Sequence, residues 1–257
     1  GSSATSRRAK RQPSRNYDAP KTAWLLDRTV DLTACYPERQ VRWAPKKRIK
    51  NPSQRLLKAC RLFEFIENEL SISTKEPVDY IDRYGKKRHG QLVPFHFNAV
   101  QLILSQDLAL SWNKSLPFRR LIPKGRQLGV STWTQGVGYG MCLGQSDYKV
   151  ALIAHDDAGA SEIFGTSRTF EKSLHPDLAL DLDSRQESKM VWVNRSTMWI
   201  GSIKTGDGLG KGPRLSMIHF SEAANFEDKG IDAAATAVSI QNALAGDHPD
   251  AIIVYES

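Results

Sequence analysis

The sequence predicts an α/β fold, a mostly parallel sheet with helices on both faces. Two observations predict it. From Phe118 onward, short strand-like runs alternate with stretches of helical periodicity, the pattern of βα units. Several of those runs, notably 149–155, 215–220 and 251–255, are apolar without the polar alternation of a half-exposed strand. Strands of that kind belong to sheets covered on both sides. Upstream of Phe118 the texture differs, and a helical region beside the sheet is expected there.

The elements follow in order. Residues 1–20 are rich in Arg, Ser and Pro with few large apolar groups, so a disordered basic tail is expected, with Gly1, Ser2 and Ser3 read as a tag remnant. Residues 21–50 scatter Trp24, Leu25, Leu26, Val30, Leu32 and Trp43 around the cluster Lys46, Lys47, Arg48 and Lys50, which suggests a flap against the main domain. A helix begins near Asn51-Pro52-Ser53 and carries Leu56, Leu57, Cys60, Phe63, Ile66, Glu67 and Leu70 on one face. Residues 71–91 read as a polar connection with a short hairpin at Arg83–Lys86. A second helix is expected over 97–112. In the sheet region the expected elements are a strand at 118–123, a helix at 132–143 weakened by three glycines, a strand at 149–155 and a helix at 157–174. A hairpin follows around Asn194–Thr197, then a strand at 215–220, an Ala-rich helix at 230–245 and a last strand at 251–255.

Composition narrows the class. The chain has 257 residues, 40% of them hydrophobic, enough to bury the core of one large domain. No run of 18 apolar residues is present, so no membrane-spanning helix is expected, and the polar N-terminus has no signal-peptide pattern. Cys35, Cys60 and Cys142 form no C-x-x-C pair and are odd in number, which suggests neither zinc nor a disulfide framework. Residues 1–58 hold 15 Lys and Arg against 4 Asp and Glu, whereas the remainder holds 21 against 24. Such an arm either meets a polyanion or is simply a solvated tail.

Two spacings point to phosphate chemistry. Lys124, Gly125, Arg126, Gln127, Leu128, Gly129, Val130, Ser131 and Thr132 join the first strand of the sheet to its first helix. There, backbone N–H groups and a helix N-terminus can face phosphates. Gly129 and Ser131 match the second glycine and the Ser/Thr of the G-x-x-x-x-G-K-[ST] loop. Val130 stands where its lysine would be, and Lys124 where its first glycine would be. Lys124 is long enough to fold over the loop, with Arg126 as a second cation and Ser131 as a Mg²⁺ ligand; the same residues also suit an ordinary strand–turn–helix connection. The strand at 215–220 ends in Ser221-Glu222, which gives Glu222 the position of a water-activating base and Ser221 that of the metal-holding acid. The loop 206–214 offers Lys211 and Arg214 as an arginine finger toward a neighbouring subunit, as DNA contacts or as solvated cations.

In their order along the chain, these segments resemble the N-terminal ATPase domain of tailed-phage large terminases. Pro94-Phe95-His96-Phe97-Asn98 with Gln101 is similar to the family's adenine-recognition region, and Arg126-Gln127-Leu128-Gly129 to its phosphate loop, which in some members has its lysine at the first position. Met217–Ala223 resembles the Walker B strand, in which some members carry Ser-Glu for Asp-Glu, and Ile252–Ser257 resembles the start of the coupling motif. The resemblance implies a P-loop NTPase domain of the additional-strand, RecA-like type over 94–257, beside a basic helical region over 21–93 that is a possible lid. It implies ATP and Mg²⁺ as cofactors. Gln101 and 124–132 would bind nucleotide, Ser131 and Ser221 the metal; Glu222, Lys124 and Arg214 would be catalytic, and Glu256 and Ser257 would couple hydrolysis to movement. It further implies double-stranded DNA, the portal protein and the small terminase subunit as partners, a ring formed on the portal from otherwise monomeric domains, and the host cytoplasm as location. The family's C-terminal nuclease domain is expected to lie outside this sequence. Two other classes fit less of it: a helicase-like P-loop ATPase, which would need a second RecA-like domain, and a DNA-binding module with a dead nucleotide site.

Overall fold

The computed structural model describes residues 53–82, 84–123, 128–202, 214–229, 242–244 and 248–257, the helical positions 235 and 238, and the backbone of a short strand pair. That pair, β1 (Val30–Asp31) with β2 (Arg42–Trp43), is all that is described of the region expected to form a tail and a flap.

Helix α1 (Gln54–Glu69) starts where Ser53 caps it, its hydroxyl accepting from the Leu56 N–H at 3.1 Å, which satisfies one of the four free N–H groups of a helix start. The face set by Leu56, Cys60, Phe63 and Ile66 is buried. Next come β3 (Ser71–Ile81) and β4 (Lys87–Pro94), an antiparallel hairpin far longer than the short turn expected from the sequence. Both strands are polar and largely exposed, so neither carries the apolar alternation that reveals a strand. The hairpin turns at Gly85, φ +76°, with Asp82 Oδ1 accepting from the N–H groups of Tyr84 and Lys86.

Helix α2 (Ala99–Asn113) opens with a capping box in which Asn98 and Gln101 exchange side-chain-to-backbone hydrogen bonds. It leads to β5 (Phe118–Ile122), α3 (Val130–Gly144), β6 (Lys149–Ala154) and α4 (Asp157–Ser173). Then come β7 (Leu182–Arg185), β8 (Lys189–Trp192), β9 (Thr197–Ser202), β10 (Met217–Phe220) and β11 (Ile252–Glu256). A 3-10 helix spans Ala223–Lys229 after β10. The Ala-rich helix expected at 230–245 lies almost wholly outside the described residues. Strand β7 was not expected; it is a short, polar edge strand.

Among the described residues these strands form one seven-stranded sheet in the order β5-β11-β10-β6-β9-β8-β7. The first five are parallel, and β8 and β7 extend the edge antiparallel. The last strand in the chain is thus inserted between the first sheet strand and the strand that ends in Ser221-Glu222, which is the additional-strand arrangement. One face of the sheet joins Val150, Leu152, Met217, Ile252 and Val254 to α1, α2, α3 and α4 in a single core. The other buries Ile153, Ile218, Phe220 and Ile253 with Phe226 and Leu244. Close packing explains Gly138 and Gly140 of α3: a Cβ on Gly140 would lie 2.6 Å from Leu62, and one on Gly138 3.0 Å from Met198. Alternate sides of the helix thus press on α1 and on the sheet.

Candidate nucleotide site

The C-terminal ends of β5, β10 and β11 lie side by side, the crevice where parallel α/β sheets bind ligands. Lys124, Gly125, Arg126 and Gln127 lie outside the described residues, so the site is described from the end of the loop onward. Gly129 caps α3 in the left-handed region, φ +71°. Gln101 Nε2 donates to the Gly129 carbonyl at 2.8 Å, and Asn98 Nδ2 to the Leu128 carbonyl at 3.1 Å. Gln101, expected to read a base, is buried, and its Oε1 accepts the Asn98 N–H at 3.0 Å. Both ends of its amide therefore meet protein groups and tie α2 to the loop.

Val130, at the usual lysine position, is fully buried in the core. Ser131 and Thr132 are half-buried in the first turn of α3. Ser131 donates its hydroxyl hydrogen to Glu256 Oε1, and Ser221 donates to the same oxygen at 2.8 Å. The two residues expected to hold metal therefore meet on one carboxylate oxygen of a third strand. His219 Nε2 lies 3.4 Å from that oxygen, and neither ring nitrogen of His219 has a hydrogen-bond partner among the described residues. His219 and Glu256 are fully buried and Ser221 nearly so. Residues two apart on a strand share a face, so His219 and Ser221 present the same side of β10, the side on which α3 packs. Ser257 donates its N–H to the Ile122 carbonyl at 3.2 Å, and its Oγ accepts from the Ala224 N–H.

Glu222 turns the other way. Its backbone is left-handed, φ +55°, and its side chain is half-exposed. Its Oε2 lies 3.1 Å from His155 Nδ1 and accepts from Asn225 Nδ2 at 3.3 Å. His155 Nε2 in turn lies 3.1 Å from Asp156, whose other oxygen caps α4. Sequence reasoning missed this Glu222–His155–Asp156 chain. That chain depends on β6 and β10 ending in register (Phe220 beside Ile153), which sets the residues just beyond them side by side and which the sequence does not record.

Arg214 is exposed and precedes β10 at its N-terminal end. Seven residues of chain, roughly 20 Å if extended, separate it from Ser221, so it lies away from the Ser131–Ser221–Glu256 cluster. Lys211 lies outside the described residues. Among the described residues no group of three or more His, Cys, Asp and Glu side chains is arranged to bind a metal. The hydroxyls of Ser131 and Ser221 with the Glu256 carboxylate form an all-oxygen set with one charge. That set fits Mg²⁺ shared with phosphates, because Mg²⁺ keeps several waters and takes few protein ligands. An open concavity of about 850 Å³ under β8 and β9, lined by Lys149, Arg195 and Trp199, touches none of these residues. Cys60 and Cys142 are buried free thiols, Cys35 lies outside the described residues, and no described helix is long and apolar enough to cross a membrane.

No family model matches the sequence, and no curated protein is significantly similar to it. Solved structures are similar. The large terminase of bacteriophage HK97 aligns with a TM-score of 0.51 at 14% identity, over 78% of this chain and 37% of that one. The ATPase domain of the Thermus phage P74-26 large terminase aligns at 0.42 and 19% identity, over 63% of this chain and 64% of that one. The large terminase of another thermophilic bacteriophage aligns at 0.43 and 10% identity, over 63% and 39%. The chain thus spans little more than a third of the HK97 protein and under two thirds of the P74-26 domain. Its fold is the α/β fold seen in the HK97 large terminase, with the additional strand between the loop strand and the Ser221-Glu222 strand.

Proposed function

We propose that this chain is the ATP-hydrolysing motor domain of a viral large terminase, which couples ATP hydrolysis to the movement of double-stranded DNA into a procapsid. One observation carries the reading. The loop end at Gly129–Ser131, the strand end at Ser221 and the coupling position Glu256 converge at the strand ends of an additional-strand sheet, with Glu222 next to Ser221 in the chain.

In this reading the phosphates of ATP lie against the N-terminus of α3, where backbone N–H groups and the helix dipole favour an anion. Lys124 and Arg126 neutralise them from the loop. Gln101 serves the nucleotide by bracing that loop through Gly129. Ser131 and Ser221 supply oxygens to Mg²⁺, which when bound neutralises charge on the phosphates. Glu222 accepts the proton of the attacking water; His155, 3.1 Å away, orients it, and its strained φ is of the kind that persists where function requires it. Glu256 and Ser257 transmit the state of the site, and Arg214 reaches the site of the next subunit in a portal-bound ring. The basic arm, the portal and the small subunit complete the grip on DNA, which acts on phosphates and is therefore weakened by salt.

Glu222→Gln tests the reading. ATP turnover by the full chain with DNA should fall by about 100-fold or more, the usual contribution of a positioned general base, while fluorescent ADP still binds. Turnover equal to wild type would refute the mechanism.

A further inference from the structure

Ser221 occupies the strand end where an acid would hold the nucleotide's metal, and a neutral hydroxyl is a weak substitute for a carboxylate. We propose that the carboxylate comes from the adjacent strand: Glu256, at the end of β11, is the acidic anchor for the Mg²⁺ that accompanies the nucleotide. The inference rests on the ATPase reading above and assigns Glu256 a role beyond coupling.

Four features support it. First, β11 runs between β5 and β10, so its last residue emerges between the phosphate loop and Ser221. Adjacent strands are about 4.8 Å apart, and a glutamate is one methylene longer than an aspartate, so its carboxylate can reach sideways to Ser221. Second, Glu256 Oε1 accepts hydrogen bonds from Ser131 and Ser221 together, which centres one anionic oxygen on both hydroxyl ligands. Third, Glu256 is fully buried, and a carboxylate is a costly choice for such a place when a neutral amide could accept the same two bonds. Fourth, His219 is fully buried, lies with Nε2 3.4 Å from the same oxygen, and has no hydrogen-bond partner on either ring nitrogen among the described residues; a water held at the metal would give it one. The two acids of the site are then divided in labour. Glu256 faces inward to the metal, and Glu222 faces outward to the water.

The competing role for Glu256 is a neutral brace that merely ties α3 to β10, and glutamine separates the two. In Glu256→Gln the amide oxygen can still accept from both serines, but the charge is gone. The experiment titrates the 257-residue chain with fluorescent ADP in EDTA and in Mg²⁺, and counts bound Mn²⁺ by electron paramagnetic resonance in the presence of ADP. The wild-type chain should bind ADP more tightly with Mg²⁺ than without. Glu256→Gln should keep its metal-free affinity, lose that tightening, and bind Mn²⁺ about 10–100-fold more weakly. A glutamine variant that keeps the full tightening overturns the proposal, and so does one that loses metal-free binding equally, since that is the loss of a brace. Should Glu256→Gln fail to fold, Glu256→Asp, which keeps the charge but retracts it, is read the same way: a smaller tightening supports the proposal and an unchanged one overturns it. Absence of ADP binding by the wild-type chain in either condition would refute the ATPase reading itself, a result that needs no variant.

Discussion

Replacing Gly129 by alanine strikes the best-defined joint of the site. Gly129 sits at φ +71°, a region that costs a residue with a Cβ about 1–2 kcal/mol. The new Cβ would lie 2.5 Å from Gln101 Nε2 and 3.2 Å from Asn98 Nδ2, so the Gln101 amide must swing away. That movement breaks its 2.8 Å bond to the Gly129 carbonyl and its half of the capping box, each worth about 1 kcal/mol. The sum is about 3–4 kcal/mol. In a domain of this size each kcal/mol lowers Tm by about 2–4 °C, so a drop of roughly 6–16 °C is expected by circular dichroism. Gln101→Ala supplies the control. With that side chain gone, the 2.5 Å clash vanishes and only the milder 3.2 Å approach to Asn98 remains, so Gly129→Ala should then cost little more than the backbone term of about 1–2 kcal/mol, a clear non-additivity. A fall in Tm below about 2 °C for Gly129→Ala, or strict additivity of the pair, would refute both the left-handed cap and the Gln101 brace.

Two further outcomes test the surrounding fold. Burial raises the pKa of Asp250, but its hydrogen bonds and charge contacts with Lys58 and then Arg55 outweigh that and hold it below its ordinary value. A depressed folded pKa stabilises above the unfolded value near 4, and that stability is lost as pH falls through the folded value. Asp250→Asn should therefore cost about 1 kcal/mol in urea unfolding at neutral pH, and that cost should shrink as the pH falls below about 4; a cost that does not change with pH would show that charge is not what ties α1 to the approach of β11. Burial, with Glu64 adding to it, pushes the Cys60 thiol up to about 11, and burial alone raises Cys142 well above its ordinary value. Peptide mapping after iodoacetamide treatment should find both unmodified in the native chain and alkylated after unfolding, and fast labelling of Cys142 would mean that the α3–β9 packing is open.

The parallel strands were legible because burial on both faces leaves nothing polar in 150–154, 217–220 or 252–254 apart from His219. The hairpin β3–β4 was not, because apart from Val93 and Ile72 its residues are largely exposed and carry no core-facing alternation. For the same reason β7 escaped notice, since an edge strand with Asp183 and Arg185 outward carries no core pattern. The glycines of α3 read as a defect in the sequence. Their reason is contact with Leu62 and Met198, residues far away in the chain.

The candidate site divides along the same line. The sequence alone determined which chemistry is present: a glycine and a serine opening a helix after a strand, a Ser-Glu at the end of a second strand, and a glutamate closing a third. Local spacing suffices for this, because loop, cap and strand-end positions are set by neighbours in the chain. Only the tertiary structure decided how those groups face one another. Strand order inserts β11 between β5 and β10, and parallel register brings Tyr255 beside Phe220 and Glu256 beside Ile122. The pleat turns Ser221 and His219 toward Glu256, while the left-handed backbone of Glu222 sends it to His155. These relations join residues 35 and 125 positions apart, and no local pattern in a sequence records which strand will lie next to which.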